Sequence, residues 1–298
     1  SYQCIRRANT VFARIDEAKD LTAQDRAELL SLNRFIRAYA YYKLWLAYGP
    51  VILIGDEEIP SNLDLGDYDR ARATNEETVE YICSELEEAA KYLPETYPLM
   101  EFGRPTKGAA YGLIARIRTY YASPLWNGGE AARRCFGNWY RKTDRVKYVT
   151  TDEYDEERWA IAAAACKRVM NMKKSGAPMY SLFTVQEDTQ TPPLPEGVTS
   201  DPDFYEPYPV GAAGIDHLRS YSEQFTGEAV IATNPEYVWG RKSQTLVDNT
   251  RMGFPISFGG WGGMALTQKI VDSYSMYDGR SIDLSLIHIS EPTRPLYI

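Results

Sequence analysis

Three stretches of the sequence gather flat rings among residues that favour loops. Trp261 stands in Phe258-Gly259-Gly260-Trp261-Gly262-Gly263, where glycine neighbours leave an indole uncrowded. Tyr205 and Tyr208 stand in Asp203-Phe204-Tyr205-Glu206-Pro207-Tyr208, and Tyr68 stands in Asp67-Tyr68-Asp69-Arg70 with Asn62 nearby. Tyr and Trp join an apolar ring to one polar handle, which suits half-wet recognition surfaces. They are plentiful here, 23 Tyr and 6 Trp against 9 Phe, so most of these rings are expected to pack. The rings on loops are the ones left for binding.

Other chemistry finds less support. There is no G-x-S-x-G, no phosphate-binding P-loop and no H-E-x-x-H. A glycoside hydrolase needs two carboxylates about 5–10 Å apart. Some pair always exists among 41 acidic residues, and nothing singles one out. The acidic run at residues 152–157 has the oxygens a Ca²⁺ would need. It reads more simply as a solvated helix start, where negative charge suits the helix dipole.

The cysteines, Cys4, Cys83, Cys135 and Cys166, form no C-x-x-C pair, and Cys83 and Cys166 fall in helical patterns as small buried hydrophobes. His217 reads as a cap or loop residue, and with so few histidines no transition-metal site is expected. No cofactor is expected either. The net charge of −8 argues against nucleic acid and gives no reason for binding anionic lipid. No apolar run approaches the ~20 residues of a membrane span.

The elements that would position the loop rings are helices. Residues 2–17 place Ile5, Ala8, Phe12 and Ile15 at spacings of three and four. Thr22, with Asp25 three residues on, caps a long second helix whose apolar stripe is Leu29, Leu32, Ile36, Tyr39 and Leu46, and Gly49-Pro50 ends it. Thr74 or Asn75 caps a third, with Val79, Ile82, Leu86 and Ala90 on one face. Thr106 caps a fourth, carrying Tyr111, Ile114, Ile117 and Tyr121 and ending at Ser123-Pro124.

Residues 130–141 are predicted helical. Residues 156–174 form a clear helix with Trp159, Ala162, Cys166, Val169 and Met170 inward. Residues 186–215 are a long Pro-, Asp- and Gly-rich excursion of the kind that is either functional or disordered. A short helix at 218–225, a strand at 236–241 and a last helix at 266–277 follow. The pattern predicts a mainly α fold of antiparallel, tetratricopeptide-like helix pairs with long loops, although the strict ~34-residue repeat is missing.

The final residues stand apart. Residues 284–294 read L-S-L-I-H-I-S-E-P-T-R, which looks like a translated sequencing adapter, and residues 295–298 would continue it. The tail at 284–298 is therefore set aside as non-native, and His288 with it.

Four segments together resemble the SusD/RagB family. Asn33-Arg34-Phe35-Ile36-Arg37-Ala38-Tyr39-Ala40-Tyr41-Tyr42-Lys43-Leu44, then Tyr48-Gly49-Pro50-Val51, is similar to that family's "E-A-x-F-L-R-A-x-x-Y-F-x-L … Y-G-x-V-P-L" helix. It departs at Asn33 and in lacking a Pro after Val51. Residues 103–128, from Gly-Arg-Pro-Thr to Ser123-Pro124-Leu125-Trp126-Asn127-Gly128, resemble the family's "A-R-x-Y-L-Y-A-A-S-P-L-x-N-G" helix and turn. Residues 159–169 resemble "W-x-x-A-A-x-A-A-x-x-V-I", and residues 267–280 resemble "T-Q-E-L-V-D-x-F-x-M-x-N-G". On the first of these helices Arg34 and Arg37 are placed to stack on rings and bond carbonyls. Trp126 and Trp139 are expected to fix turns.

The resemblance implies a helical, tetratricopeptide-like region at residues 1–180 and the start of a loop-rich region at 181–283. It implies a chain missing an N-terminal part, with its signal peptide and lipidated Cys, and a large C-terminal part. It further implies a non-catalytic glycan- or nutrient-binding lipoprotein on the outer-membrane surface, held by a lipid anchor and delivering ligand to a SusC-like TonB-dependent transporter. Sugar binding needs flat rings for the pyranose face and planar polar groups for its hydroxyls. Trp261, Tyr205, Tyr208, Tyr68 and Asn62 are the expected ligand-binding residues. The rival readings are a helical-repeat protein–protein scaffold, which would tend to keep its loops short, and a glycoside hydrolase.

Overall fold

Threonine caps open three of the helices. The Thr22 hydroxyl accepts the Asp25 N–H (3.1 Å) and donates to its carboxylate (2.6 Å). Thr74 and Glu77 complete a reciprocal capping box, and Thr106 accepts the Ala109 N–H. These caps start α2 (Ala23–Tyr48), α3 (Asn75–Ala90) and α4 (Lys107–Ala122), which follow α1 (Tyr2–Arg14). Gly49, at φ +67°, ends α2, a backbone state open to glycine without strain. The structure is a computed structural model, and it describes residues 1–60, 62–150, 152–197, 199–226, 228–230, 234–240, 251–263 and 267–273.

The described residues are mainly α. Helix α1 packs on α2, α2 on α3, α3 on α4, and α4 on α6 (Glu157–Met170), with the short α5 (Gly129–Phe136) in the connection. Ile5, Phe35, Trp45, Val79, Ile82, Leu86 and Ile117 are fully buried where these helices meet. Each such side chain contributes about 1.5–3 kcal/mol of burial. The strands are minimal: Lys173–Lys174 pairs with Ala177–Pro178, and Val185–Gln186 closes the base of the long excursion by pairing with Ile215–Asp216. Helix α7 (His217–Thr226) follows directly, its N-terminus capped by Asp216, which accepts the Arg219 N–H. The chain divides into two compact units, residues 1–241 and 242–298. In the second, the described residues include a short helix, Gln268–Ser273.

Four expectations need correction. On α2 the predicted stripe holds only in part: Leu32 and Tyr39 pack against the core. Leu29, Ile36 and Leu46 are exposed, and the buried face is Phe35, Arg37, Ala38, Tyr41, Tyr42 and Trp45. Tyr, Trp and Arg can be buried once their polar ends are bonded, so apolarity alone misjudged the face.

On α6, Ala162 is buried, but Trp159, Cys166 and Met170 are exposed, Met170 by 72%. This helix sets two cations over rings of α4, Arg158 over Tyr121 (4.1 Å) and Arg168 over Tyr111 (3.6 Å). The helix predicted at 130–141 stops at Phe136, and Tyr140 instead bridges to Lys147. Residues 236–240 form a turn and an irregular stretch rather than a strand, because Trp239 is drawn inward and its indole N–H donates to the Gly103 carbonyl (3.0 Å).

Caps, proline breaks and the α3 face are as the sequence predicts. Trp126 stacks on Phe136 (5.1 Å) beneath Gly49, in the turn-fixing role expected of it. The tail at 284–298 lies outside the described residues, as do residues 266 and 274–277 of the helix predicted at 266–277, whose described part is helical at Gln268–Ser273.

Candidate functional site

Between α1 and the loop that follows α2 lies a cleft of about 260 Å³. Its ring walls are Tyr2 and Tyr68. The Tyr2 hydroxyl donates to the Ile52 carbonyl and accepts the Ile52 N–H, both at 3.1 Å. The Tyr68 hydroxyl donates to the Pro60 carbonyl (2.9 Å) and accepts the Leu63 N–H (3.1 Å). Each phenol is thereby spent on backbone, which fixes the ring and leaves it to act through its face.

The loop strand behind them is pinned from three helical side chains. Tyr2 holds Ile52, the Tyr41 hydroxyl accepts the Ile54 N–H (3.0 Å), and buried Asn9 donates to the Gly55 and Glu57 carbonyls (3.0 and 2.7 Å). Asn9 is oriented in turn by Arg37, whose Nη1 donates to its Oδ1 (2.8 Å). Arg37 is only 1% exposed. It also donates to Glu85, to Asp56 (2.6 Å) and to the Gly55 carbonyl (3.2 Å), and its guanidinium lies over the Phe12 ring (4.5 Å). Arg34 bonds the other Glu85 oxygen and shares the Phe12 ring, so both arginines have the ring contacts their sequence context predicts. Burial works against the Arg37 charge, but Glu85 beside it more than compensates and raises its pKa.

Besides Asn9, the polar side chains that line the cleft are Gln3, Arg6 and Glu57. Glu57 is held by Arg70 through two bonds (2.7 and 2.8 Å), which keep its carboxyl below the usual carboxylate range. Among the described residues the Gln3 and Arg6 side chains make no hydrogen bond or ion pair, so their planar ends are available to a ligand. Ile54 and Ile59 supply the dry wall.

Of the five residues predicted to bind ligand, the cleft takes Tyr68. Asn62 is exposed on the same loop but does not line it. Tyr205 and Tyr208 stay in the excursion: the Tyr205 hydroxyl donates to the Pro195 carbonyl (3.1 Å) with its ring edge-on to Phe204, and Tyr208 is half-buried. Trp261 stands in the second unit, 50% exposed, with the Arg251 guanidinium 5.8 Å over its ring. Its glycines serve a tight turn, since a Cβ on Gly260 would lie 2.0 Å from the Phe254 carbonyl oxygen. The sequence reading missed Tyr2, Gln3, Arg6 and Asn9. The available signal was Asn9, a poor helix former in mid-helix that needed a partner for its amide.

No group of three or more His, Cys, Asp or Glu suited to a metal occurs among the described residues. No described helix is long and apolar enough to cross a membrane.

The mainly α array of packed helix pairs is also found in solved SusD-like structures. The chain superposes on BT4246 with a TM-score of 0.68 at 23% identity, over 96% of this chain and 48% of that one. It superposes on a SusD-like protein (BF3747) from Bacteroides fragilis with a TM-score of 0.56 at 20% identity, over 93% and 40%. It therefore spans about half the length of these solved structures, or less. Residues 1–119 match the SusD-like family described as starch-binding and associating with the outer membrane. The fold is therefore SusD-like, and the sequence likeness to that family lies in residues 1–119. No curated protein matches the sequence.

Proposed function

We propose that the protein binds glycan, without catalysis, in the cleft between α1 and the 52–68 loop. It would do so as the surface component that hands oligosaccharide to a SusC-like TonB-dependent transporter at the outer membrane. The observation that carries this reading is the pair Tyr2 and Tyr68, two rings whose hydroxyls are bonded to backbone, facing the unpaired planar ends of Gln3 and Arg6. A pyranose offers an apolar face to the rings and hydroxyls to the amide and guanidinium. The cleft lies wholly within the stretch that matches a starch-binding family. Non-catalytic action is supported by the lining, whose one described carboxylate, Glu57, is already committed to Arg70, whereas glycoside hydrolysis uses two.

The test is calorimetric titration with maltoheptaose. Binding is expected to weaken roughly tenfold in Tyr68→Ala, the scale of one lost stacking ring. Tyr205→Ala should leave it unchanged, and no shorter sugars should form. Unaltered affinity in Tyr68→Ala, or release of maltose, contradicts the reading.

A further inference from the structure

A second cleft, of about 380 Å³, opens on another side of α2, between that helix, α4 and the 238–240 segment. Two rings form a corner in its wall: Tyr39 and Trp239 meet at 82° with centroids 5.4 Å apart. Trp239 is locked there by its bond to Gly103 and by edge contact with Phe35 (5.2 Å, 76°). The floor comes from α4, where Gly112 is so close to Val238 that an added Cβ would lie 3.2 Å from its methyl.

The charge here is one-sided. Arg116 lines the cleft beside Tyr42, close enough for its charge to act on that phenol. Among the described residues it makes no ion pair, and no acidic side chain lines the cleft. Lys43, one turn beyond Tyr39 on α2, has no acidic partner among the described residues either. In a chain of net charge −8, most arginines packed against α3 and α4 have found a carboxylate: Arg34 with Glu85, Arg118 with Glu80, Arg168 with Glu87. Arg116 is left with its charge uncompensated beside two fixed rings.

We infer that this cleft binds an acidic sugar residue, a uronate within an oligosaccharide, with its ring in the Tyr39–Trp239 corner and its carboxylate on Arg116. A planar guanidinium with no carboxylate partner presents a fork of N–H donors that matches a carboxylate. The volume falls in the range of small-ligand sites. The inference extends the glycan-binding reading to a different cleft and names the sugar class that this one takes.

The test is calorimetric titration of the whole chain with an oligogalacturonide and with its fully methyl-esterified, neutral form. The wild-type chain should bind the acid roughly tenfold more tightly than the ester, the scale of one charge-assisted bond. Arg116→Gln should erase that preference, and Arg116→Lys should retain part of it. Arg116 is exposed, so an unchanged melting curve is expected of both variants. Equal binding of acid and ester, or a preference abolished by Arg6→Gln and untouched by Arg116→Gln, overturns the inference.

Maltoheptaose in the same series separates the two readings. If it binds through Tyr68 while acid and ester do not differ, only the acidic-sugar inference falls. If it fails to bind while the acid binds through Arg116, the inference stands and the first cleft is wrongly assigned.

Discussion

Arg37 and Glu85 form a buried ion pair between α2 and α3, with Nη2 and Nε of the guanidinium donating to Oε2 at 2.5 and 3.0 Å. The pair has a functional neighbour. Through the third nitrogen, Arg37 orients Asn9, and Asn9 holds the loop strand of the candidate cleft. Core electrostatics and site geometry thus meet in one side chain.

Replacing Arg37 by Met should destabilise the chain by about 3–5 kcal/mol, because Glu85 keeps a buried charge with its main partner gone. Pairing it with Glu85→Leu should cost less than the single change, since no buried charge is then stranded. Urea unfolding of both variants checks this, and a single variant within about 1 kcal/mol of wild type contradicts it.

The cysteines differ in reach. Burial pushes the Cys83 thiol up to about 12, whereas Cys135 and Cys166 are exposed. The thiolate is the reactive form. Iodoacetamide at pH 8 should therefore alkylate Cys135 and Cys166 in the folded chain and spare Cys83 until the chain is unfolded. Peptide mass mapping reads the outcome.

Alkaline stability should fall in a defined window. Burial pushes the phenols of Tyr41 and Tyr121 up to about 12, against about 10 in an unfolded chain. The unfolded state then loses its protons first, so stability is full below pH ~10 and declines as pH rises toward ~12. Urea midpoints at pH 9, 10.5 and 11.5 should drop in that order, and Tyr41→Phe should flatten the trend.

Gly128 should tolerate no side chain. Its φ of +68° with ψ −166° is a backbone state nearly confined to glycine, and a Cβ would lie 2.0 Å from the Glu153 carbonyl oxygen. Gly128→Ala is expected to cost at least about 2 kcal/mol in urea unfolding.

What could be read from sequence was local. Thr22, Thr74 and Thr106 announce their helices because a cap and its N–H partner lie three residues apart. Tyr68 was recognisable as a ring on a polar loop. Its opposite wall was not, since Tyr2 meets Ile52 across 50 residues and Asn9 meets Glu57 across 48. Arg34 and Arg37 could be assigned rings and carbonyls from the character of their helix, but not Glu85, which lies 48 residues beyond Arg37. Of the inward side of α2 only Leu32 and Tyr39 were legible, because Tyr41, Trp45 and Arg37 enter the core only by bonding Ile54, Asn75 and Glu85. Trp239 was assigned to a strand for the same reason, its deciding contact being Gly103, 136 residues earlier.

Glycan is placed in the cleft between α1 and the 52–68 loop. Hydrogen–deuterium exchange with and without saturating maltoheptaose tests it most directly. Exchange should slow in residues 1–9 and 52–68, with that protection lost in Tyr68→Ala. Protection confined to the 203–208 stretch or to residues around Trp261, with residues 1–9 and 52–68 unchanged, would contradict it.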